Sequence, residues 1–364
     1  MSEKLTPIEW MYTHKPILRE YYDYEGDPCE HGEDAVTPSP YHLEGSVWTH
    51  TMMVYSHMNA MYDGKGFDYM LLAALLHDIG KMECRGEDEH GNIRFKGHEG
   101  YSFFRSVDAV KEYINHRYDG YTDDYTKAVL FAIANHGIFM HNKKMANSPD
   151  SIKKAFAPFD KLSLELLHDL MVADKKGRIV AHDVKFNAPE QSPLDVLMDC
   201  EYDAPVEVKE PYTKRELVIM VGLPGSGKST YIKEHLGDYA VISRDAIIMK
   251  NCPTAKSYSE AWKSVDQKEI DKELMQHAQK VFKTEDKIVV DMTNLSKKSR
   301  KKWLALANQN DFYTKVYVMG TSLATCIDRR WDGNKAIKYD IIETMAKKFT
   351  FPLGDEFDFV DIKL

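Results

Sequence analysis

The apolar run Leu217-Val218-Ile219-Met220-Val221 passes directly into Gly222-Leu223-Pro224-Gly225-Ser226-Gly227-Lys228-Ser229. A short, wholly apolar run bounded by glycine reads as a buried strand. The glycines let the chain reverse tightly with its N–H groups turned inward. The word G-x-x-x-x-G-K-S then opens a helix at about Lys228. A buried strand, a glycine turn and a helix start in immediate succession belong to a parallel α/β sheet. The turn's N–H groups and the partial positive charge of the helix N-terminus suit a chain of phosphates. Gly222, Pro224, Gly225, Ser226, Gly227, Lys228, Ser229 and Thr230 are therefore candidate nucleotide-binding residues, with ATP or another NTP as ligand. In such a loop the lysine, Lys228, reaches the β/γ-phosphates, and Ser229 is placed to ligate Mg²⁺.

The chain has 364 residues, enough for two cores. Its 43% hydrophobic and 29% charged residues are those of a globular protein. The net charge of −9 excludes a global basic field, so any contact with nucleic acid must come from a local patch. The best such patch is Lys297-Lys298-Ser299-Arg300-Lys301-Lys302-Trp303, which reads equally well as a solvated helix face. Cys29, Cys84, Cys200, Cys252 and Cys326 are scattered and form no C-x-x-C pair, which points to a reducing compartment, the cytoplasm. No apolar run is long enough to span a bilayer and no signal-like apolar stretch follows Met1, so no membrane partner is expected.

Hydrophobic periodicity divides the chain into residues 1–203 and 214–364, with 204–213 as an extended, proline-bearing linker. The first part is patterned as helices, at 69–76, 126–135 and 162–173, and predicts an all-α bundle. In the second part strand candidates at 217–221, 239–242, 288–290 and 315–319 alternate with helices. That predicts an α/β domain with a parallel sheet covered on both faces.

His77-Asp78 ends the most apolar helix of the first part. Adjacent helical residues point about 100° apart, so an ion beside the helix can meet both side chains. A carboxylate buried there needs partners. The candidates are His50, His98, His136 and Asp174, each in or beside an expected helix. His57, His90, His116, His141, His168 and His182 read as ordinary structural histidines. Lys81, one turn after His77, either holds a substrate phosphate or points to solvent. The order His50, His77-Asp78, Asp174 resembles the HD-domain phosphohydrolases, over roughly residues 40–180. The resemblance implies metal ligation by those four residues, with His98 and His136 as the additional ligands of two-metal members and Asp78 as the bridging one. Imidazole with carboxylate suits one or two divalent ions such as Mn, Fe, Co, Ni or Zn. Such a site serves phosphoester hydrolysis, with Asp78 and Lys81 at the reacting group.

In the second part Val241-Ile242-Ser243-Arg244-Asp245 delivers an acid from a strand end close to the glycine turn, where it can accept a proton from an attacking hydroxyl. Asp291-Met292-Thr293-Asn294 follows another strand, and Cys326-Ile327-Asp328-Arg329-Arg330 precedes a charged segment. These words, in this order, resemble the phage-type 5′-hydroxyl polynucleotide kinases over about 216–355. The resemblance implies catalytic roles for Lys228, Asp245 and Arg329, with Arg329 also at the nucleotide. It implies acceptor binding near Arg244, Asp291 and Asn294, with Arg300 from the basic patch. That family usually carries an arginine three residues after the base; here the position is Ile248, and Lys250 or Arg244 are the available substitutes.

An HD domain followed by such a kinase is similar to bifunctional enzymes of RNA end healing. The expectation is phosphorylation of 5′-hydroxyl ends and hydrolysis of 2′,3′-cyclic or terminal 2′- or 3′-phosphate ends. The partners would be nucleic-acid ends, RNA favoured, with a separate ligase downstream. Two alternatives stand beside it: a nucleoside or nucleotide kinase fused to an HD nucleotidase, and an HD nucleotide-sensing module that regulates the kinase.

Overall fold

The computed structural model describes residues 4–22, 44, 46–62, 67–91, 93–118, 122–180, 193–198, 213–331 and 335–364. Contacts divide the chain into two compact units, Met1–Val206 and Glu207–Leu364. The expected linker, 204–213, lies outside the described residues apart from Thr213.

The first unit is built around the helix Asp68–Leu76, in which every residue is buried. A helix that is apolar all round must be enclosed on all sides. Its neighbours include Val47–Met61, His98–Arg117, Thr122–Asn135 and Lys161–Lys176. Caps fix where two of these begin. The Ser46 hydroxyl accepts from the Thr49 N–H at 3.1 Å, and the Asp160 carboxylate accepts from the Ser163 N–H at 2.7 Å. Each satisfies one of the orphan donors at a helix start and thereby sets the phase of the residues that follow. Among the described residues, one feature departs from the expected all-helical unit. Strands β1 (Arg85–Glu87) and β2 (Ile93–Phe95) form an antiparallel hairpin between the His77-Asp78 turn and the helix that starts at His98.

The second unit carries a five-stranded sheet of β3 (Glu216–Val221), β4 (Ala240–Ile242), β5 (Lys287–Val290), β6 (Tyr313–Met319) and β7 (Phe359–Lys363). The order is β4-β5-β3-β6-β7 and every pairing is parallel. The central strand β3 is flanked by β5 and β6 and covered on both faces, which accounts for its unbroken apolar run. The four expected strands are present, and β7 is a fifth that the reading of runs passed over. It is an edge strand that alternates intermediate and buried residues, so only a period-two pattern marks it. Because all five strands run the same way, their carboxyl ends share one edge of the sheet, the edge where open α/β sheets bind ligands.

Behind that edge lies a buried ion pair. Arg300 sits in the helix Lys297–Gln309 with no solvent exposure, and its guanidinium meets Glu356 through Nη2–Oε1 at 2.7 Å and Nε–Oε2 at 3.0 Å. Its Nη1 donates to the carbonyls of Asn294, Leu295 and Thr350 at 3.2, 3.2 and 3.0 Å. The expectation that Arg300 binds substrate is therefore corrected. Every side of its planar fork is spent on tying the loop after β5 to the segment before β7. Arg300→Ala would leave Glu356 buried and uncompensated. It is expected to destabilise this unit by about 3–5 kcal/mol, read by chemical denaturation of the full chain, whereas Arg300→Met combined with Glu356→Leu should recover most of the loss.

Candidate metal centre and nucleotide site

Four helices and one turn bring the six histidine and aspartate candidates of the first unit together, all of them buried. His77 follows the last turn of Asp68–Leu76. Gly80 lets the turn after it lie flat on the helix His98–Arg117: a Cβ there would come within 2.8 Å of the Ser102 nitrogen, and the Gly80 N–H donates to the Ser102 hydroxyl at 2.9 Å. That close approach puts Asp78 beside His98. Two triads result, His50–His77–Asp78 and Asp78–His98–His136, each with its ligand atoms within 4.8 Å of one another. Asp78 belongs to both. Its Oδ2 lies 3.0 Å from His77 Nε2 and 3.6 Å from His50 Nε2; its Oδ1 lies 3.2 Å from His98 Nε2 and 3.5 Å from His136 Nε2. Asp174, near the end of Lys161–Lys176, is 3.0 Å from His50 Nε2.

The ring nitrogens facing away from the centre are held by the backbone. Nδ1 of His77, His98 and His136 lies 2.8 Å from the carbonyls of Ala74, Phe95 and Ile133 respectively. This arrangement fixes the tautomer and leaves Nε2 of each ring turned toward Asp78. Burial and electrostatics act against each other here. Burial alone would raise the carboxyls of Asp78 and Asp174. Instead His77 and Lys81 hold Asp78, and Arg178 and His50 hold Asp174, well below the usual carboxylate range. Burial disfavours a charged His50, yet its contacts with Asp174 and Glu44 raise it to about 9. Burial keeps His77 below its ordinary value.

The donor set fits a cation. His77 Nε2 and Asp78 Oδ1 are buried without a hydrogen-bond partner of good geometry, although ion-pair distances surround both. A site that leaves a carboxylate oxygen and an imidazole nitrogen facing one another in this way is arranged for a metal. One shared carboxylate between two triads suits two ions. Lys81 is buried with its ammonium 2.7 Å from Asp78 Oδ2 and lies over the Phe95 ring, so the solvent-pointing alternative is set aside.

Four further residues complete the centre. Arg178 pairs with Asp174. Glu44 reaches His50 Nδ1 at 3.1 Å. Glu99 lies 2.7 Å from His141, which the sequence reading left as an ordinary structural histidine, and 3.5 Å from His98. Arg178, four residues after Asp174 and just past the end of Lys161–Lys176, lies within local reach of it. The other three had no local signal, since each meets the centre only through the packing of distant segments.

In the second unit the glycine turn takes the expected form. Gly225 and Gly227 adopt φ of 87° and 90°, and Lys228 starts the helix Lys228–His235. Lys228 Nζ is buried and donates to the carbonyls of Gly222 and Leu223 at 2.9 and 2.7 Å and to Ser226 Oγ at 3.2 Å. Burial lowers its pKa to about 8, with Asp291 opposing. Arg329 donates to the Gly225 carbonyl at 3.1 Å. Gly225, Gly227, Lys228, Ser229, Thr230, Arg329 and Arg330 all line one cavity of about 680 Å³, large enough for a nucleotide.

The expected acceptor residues divide. Asp291 accepts from the Ser229 hydroxyl at 2.7 Å, so it sits beside the expected Mg²⁺ ligand of the glycine turn. Asn294 is buried, with φ of 45°. Its Nδ2 donates to the Met220 carbonyl and its Oδ1 accepts from Trp303 Nε1, so it locks the loop after β5 and is not available to a substrate. Arg244 is engaged with Asp271 at 2.9 Å and Gln267 at 2.6 Å. Asp245 is partly exposed at the start of Arg244–Asn251, with Lys335 Nζ 3.0 Å from its Oδ2. Ile248 is fully buried.

His50 must shed its proton before it can hold a metal. Held near 9, it is protonated at neutral pH in the metal-free protein. Affinity for Mn²⁺ or Zn²⁺ is therefore expected to rise by up to about tenfold per pH unit between pH 6 and 9, with proton release on binding. Calorimetry in buffers of different ionisation enthalpy measures both, and Asp78→Ala should remove most of the binding.

Comparison with known proteins agrees with this division. Residues 47–179 match the family model described as HD domain, and residues 217–352 match that described as AAA domain. The chain is also 27% identical over 201 residues to a protein named "Putative bifunctional polynucleotide kinase/RNA ligase" from Autographa californica nuclear polyhedrosis virus. That match covers 50% of this chain and 28% of the relative's length. Among the described residues no helix is long and apolar enough to cross a membrane. The chain thus carries an HD domain followed by a P-loop, kinase-like AAA domain.

Proposed function

We propose that this chain heals broken polynucleotide ends, RNA in particular, by two reactions carried out on separate units. The observation that supports the reading is that each unit holds its own set of groups suited to phosphate. Two His/Asp triads share Asp78 in one, and a phosphate loop has Asp245 within electrostatic reach of Lys228 in the other. The name of the viral relative supplies the polynucleotide class of substrate.

In the kinase reaction the 5′-hydroxyl oxygen attacks the γ-phosphorus of ATP and ADP leaves. Asp245 takes the hydroxyl proton. The N–H groups of residues 225–229 hold the phosphates, and Lys228 turns from the Gly222 and Leu223 carbonyls to the β/γ-oxygens. Arg329, poised at Gly225, offsets charge that develops on the transferred group. Ser229 and Asp291 would hold Mg²⁺.

In the hydrolytic reaction water adds to phosphorus. A 2′,3′-cyclic phosphodiester opens to a monoester, or a terminal 2′- or 3′-phosphate is released as inorganic phosphate. His50, His77, Asp78, His98, His136 and Asp174 would hold one or two divalent ions. Bound there, the ions supply Lewis acidity that makes water a nucleophile near neutral pH. Lys81 and Arg178 bring the only further cations described at the centre and would bind the phosphoryl oxygens. The free thiols of Cys84, Cys252 and Cys326 are in keeping with work in the cytoplasm. A separate ligase would join the healed ends.

The two activities should separate cleanly. Lys228→Ala and Asp245→Ala are expected to lower transfer of labelled γ-phosphate to a 5′-hydroxyl oligonucleotide by at least about 100-fold and to spare hydrolysis of a cyclic-phosphate end. Asp78→Ala should do the reverse. Loss of both activities from either substitution in a folded protein would refute the two-site reading.

A further inference from the structure

The phosphate loop accounts for the donor but leaves the acceptor without a recognised seat. Asp245 opens the helix Arg244–Asn251 at the end of β4, and two other segments converge on it. Lys335 Nζ lies 3.0 Å from Oδ2, from beyond the helix Leu323–Asp328. The helix Tyr258–Ser264 brings the Tyr258 side chain up to the same pair. The Lys335 ammonium also lies over the Tyr258 ring, 5.1 Å from its centroid. The cluster opens to solvent: the side chains of Lys335 and Asp245 are 43% and 47% exposed. One helical turn after Tyr258, and so on the same face, Trp262 is 46% exposed.

Other cations are less free to serve here. Ile248, one turn after Asp245, is fully buried and can project no charge to the surface. Arg244 is bound to Asp271 and Gln267, and Lys250 is paired with Glu273. Lys302 lies near both Asp271 and Arg244, on the flank where Asp271 offsets the positive charge.

We infer that Lys335, Tyr258 and Trp262 form a seat for the single-stranded 5′ end of a polynucleotide, in which Lys335 takes the first internucleotide phosphate and Trp262 stacks a base. The inference rests on the kinase reading above and names its substrate class. A bare nucleoside has no phosphate to offer Lys335, whereas an oligonucleotide does. The Lys335–Asp245 pair is open to solvent and therefore weak, so exchanging it for a phosphate costs little. The exchange frees Asp245 Oδ2 to face the incoming hydroxyl. The acceptor's own phosphate thereby uncovers the base that deprotonates its hydroxyl, while the Tyr258 ring flanks the ammonium. Stacking on an exposed indole is tolerant of sequence, as an enzyme acting on broken ends requires.

The test compares two acceptors of one sequence, an ordinary 5′-hydroxyl single-stranded oligonucleotide and one whose first internucleotide linkage is a neutral methylphosphonate. The neutral linkage is expected to raise the acceptor KM of the wild-type chain about tenfold. Lys335→Ala should show that higher KM with both acceptors, be blind to the substitution, and lose about one unit of salt slope. Lys335→Arg should restore the discrimination. Trp262→Ala should raise acceptor KM about tenfold, with Trp262→Phe restoring most of it. An unchanged KM for ATP in every variant shows that the fold is intact. Equal sensitivity of wild type and Lys335→Ala to the neutral linkage, or an acceptor KM unmoved in both alanine variants, overturns the seat and leaves the kinase reading standing. A wild-type chain that phosphorylates nucleosides but no oligonucleotide overturns both.

Discussion

A fully buried carboxylate sets the terms for the first unit. Asp78 is enclosed by the most apolar helix of the domain, and an isolated charge there would be strongly disfavoured. It stays ionised because four imidazoles and the Lys81 ammonium converge on it. His50, His98 and His136 arrive from three other elements, while His77 and Lys81 share the turn that carries Asp78. The Ser46 cap sets the phase of His50, the Gly80 contact brings in His98, and the backbone carbonyls at residues 74, 95 and 133 orient three rings. The fold and the centre are thus one problem: packing that failed to assemble the ligands would leave a charge buried without a partner.

The second unit solves the converse problem. Its loop gathers N–H groups and a buried ammonium, an arrangement that calls for anions. Lys228 is held by the loop's own carbonyls and by Ser226, and Ser229 by Asp291. These internal bonds keep the loop in one shape, so the seat for phosphate is preorganised. The buried Arg300–Glu356 pair does related work one layer back, since it ties down the loop that carries Asp291 and Asn294. A charged residue in a basic run thus proves to be part of the interior of the unit.

Much of the centre was legible because metal and phosphate sites draw on few residue types. His77-Asp78 at the end of an apolar helix and the glycine turn after an apolar strand each state a chemical requirement locally. The misreadings share one cause. Arg300 and Asn294 have the composition of substrate ligands, and only the neighbours supplied by β3, Trp303 and Glu356 turn them into structural ties. Glu44, Glu99 and His141 failed to register for the same reason, because the partner that gives each its role lies far away in sequence. The edge strand β7 was hidden because one of its sides has no neighbour, so it lacks the continuous apolar run that marks β3.

The sequence by itself determined that there are two units, that one is helical with an imidazole–carboxylate set, and that the other is a parallel sheet opening on a phosphate loop. Periodicity and motif spacing carry that information because they act over a few neighbouring residues. Tertiary structure alone decided that Asp78 is shared by two triads, that Asp291 faces Ser229, and that Lys335 and Tyr258 meet at Asp245. Those facts depend on distances between segments tens of residues apart. Such distances are set by how whole helices and strands pack, and no local pattern in the chain encodes them.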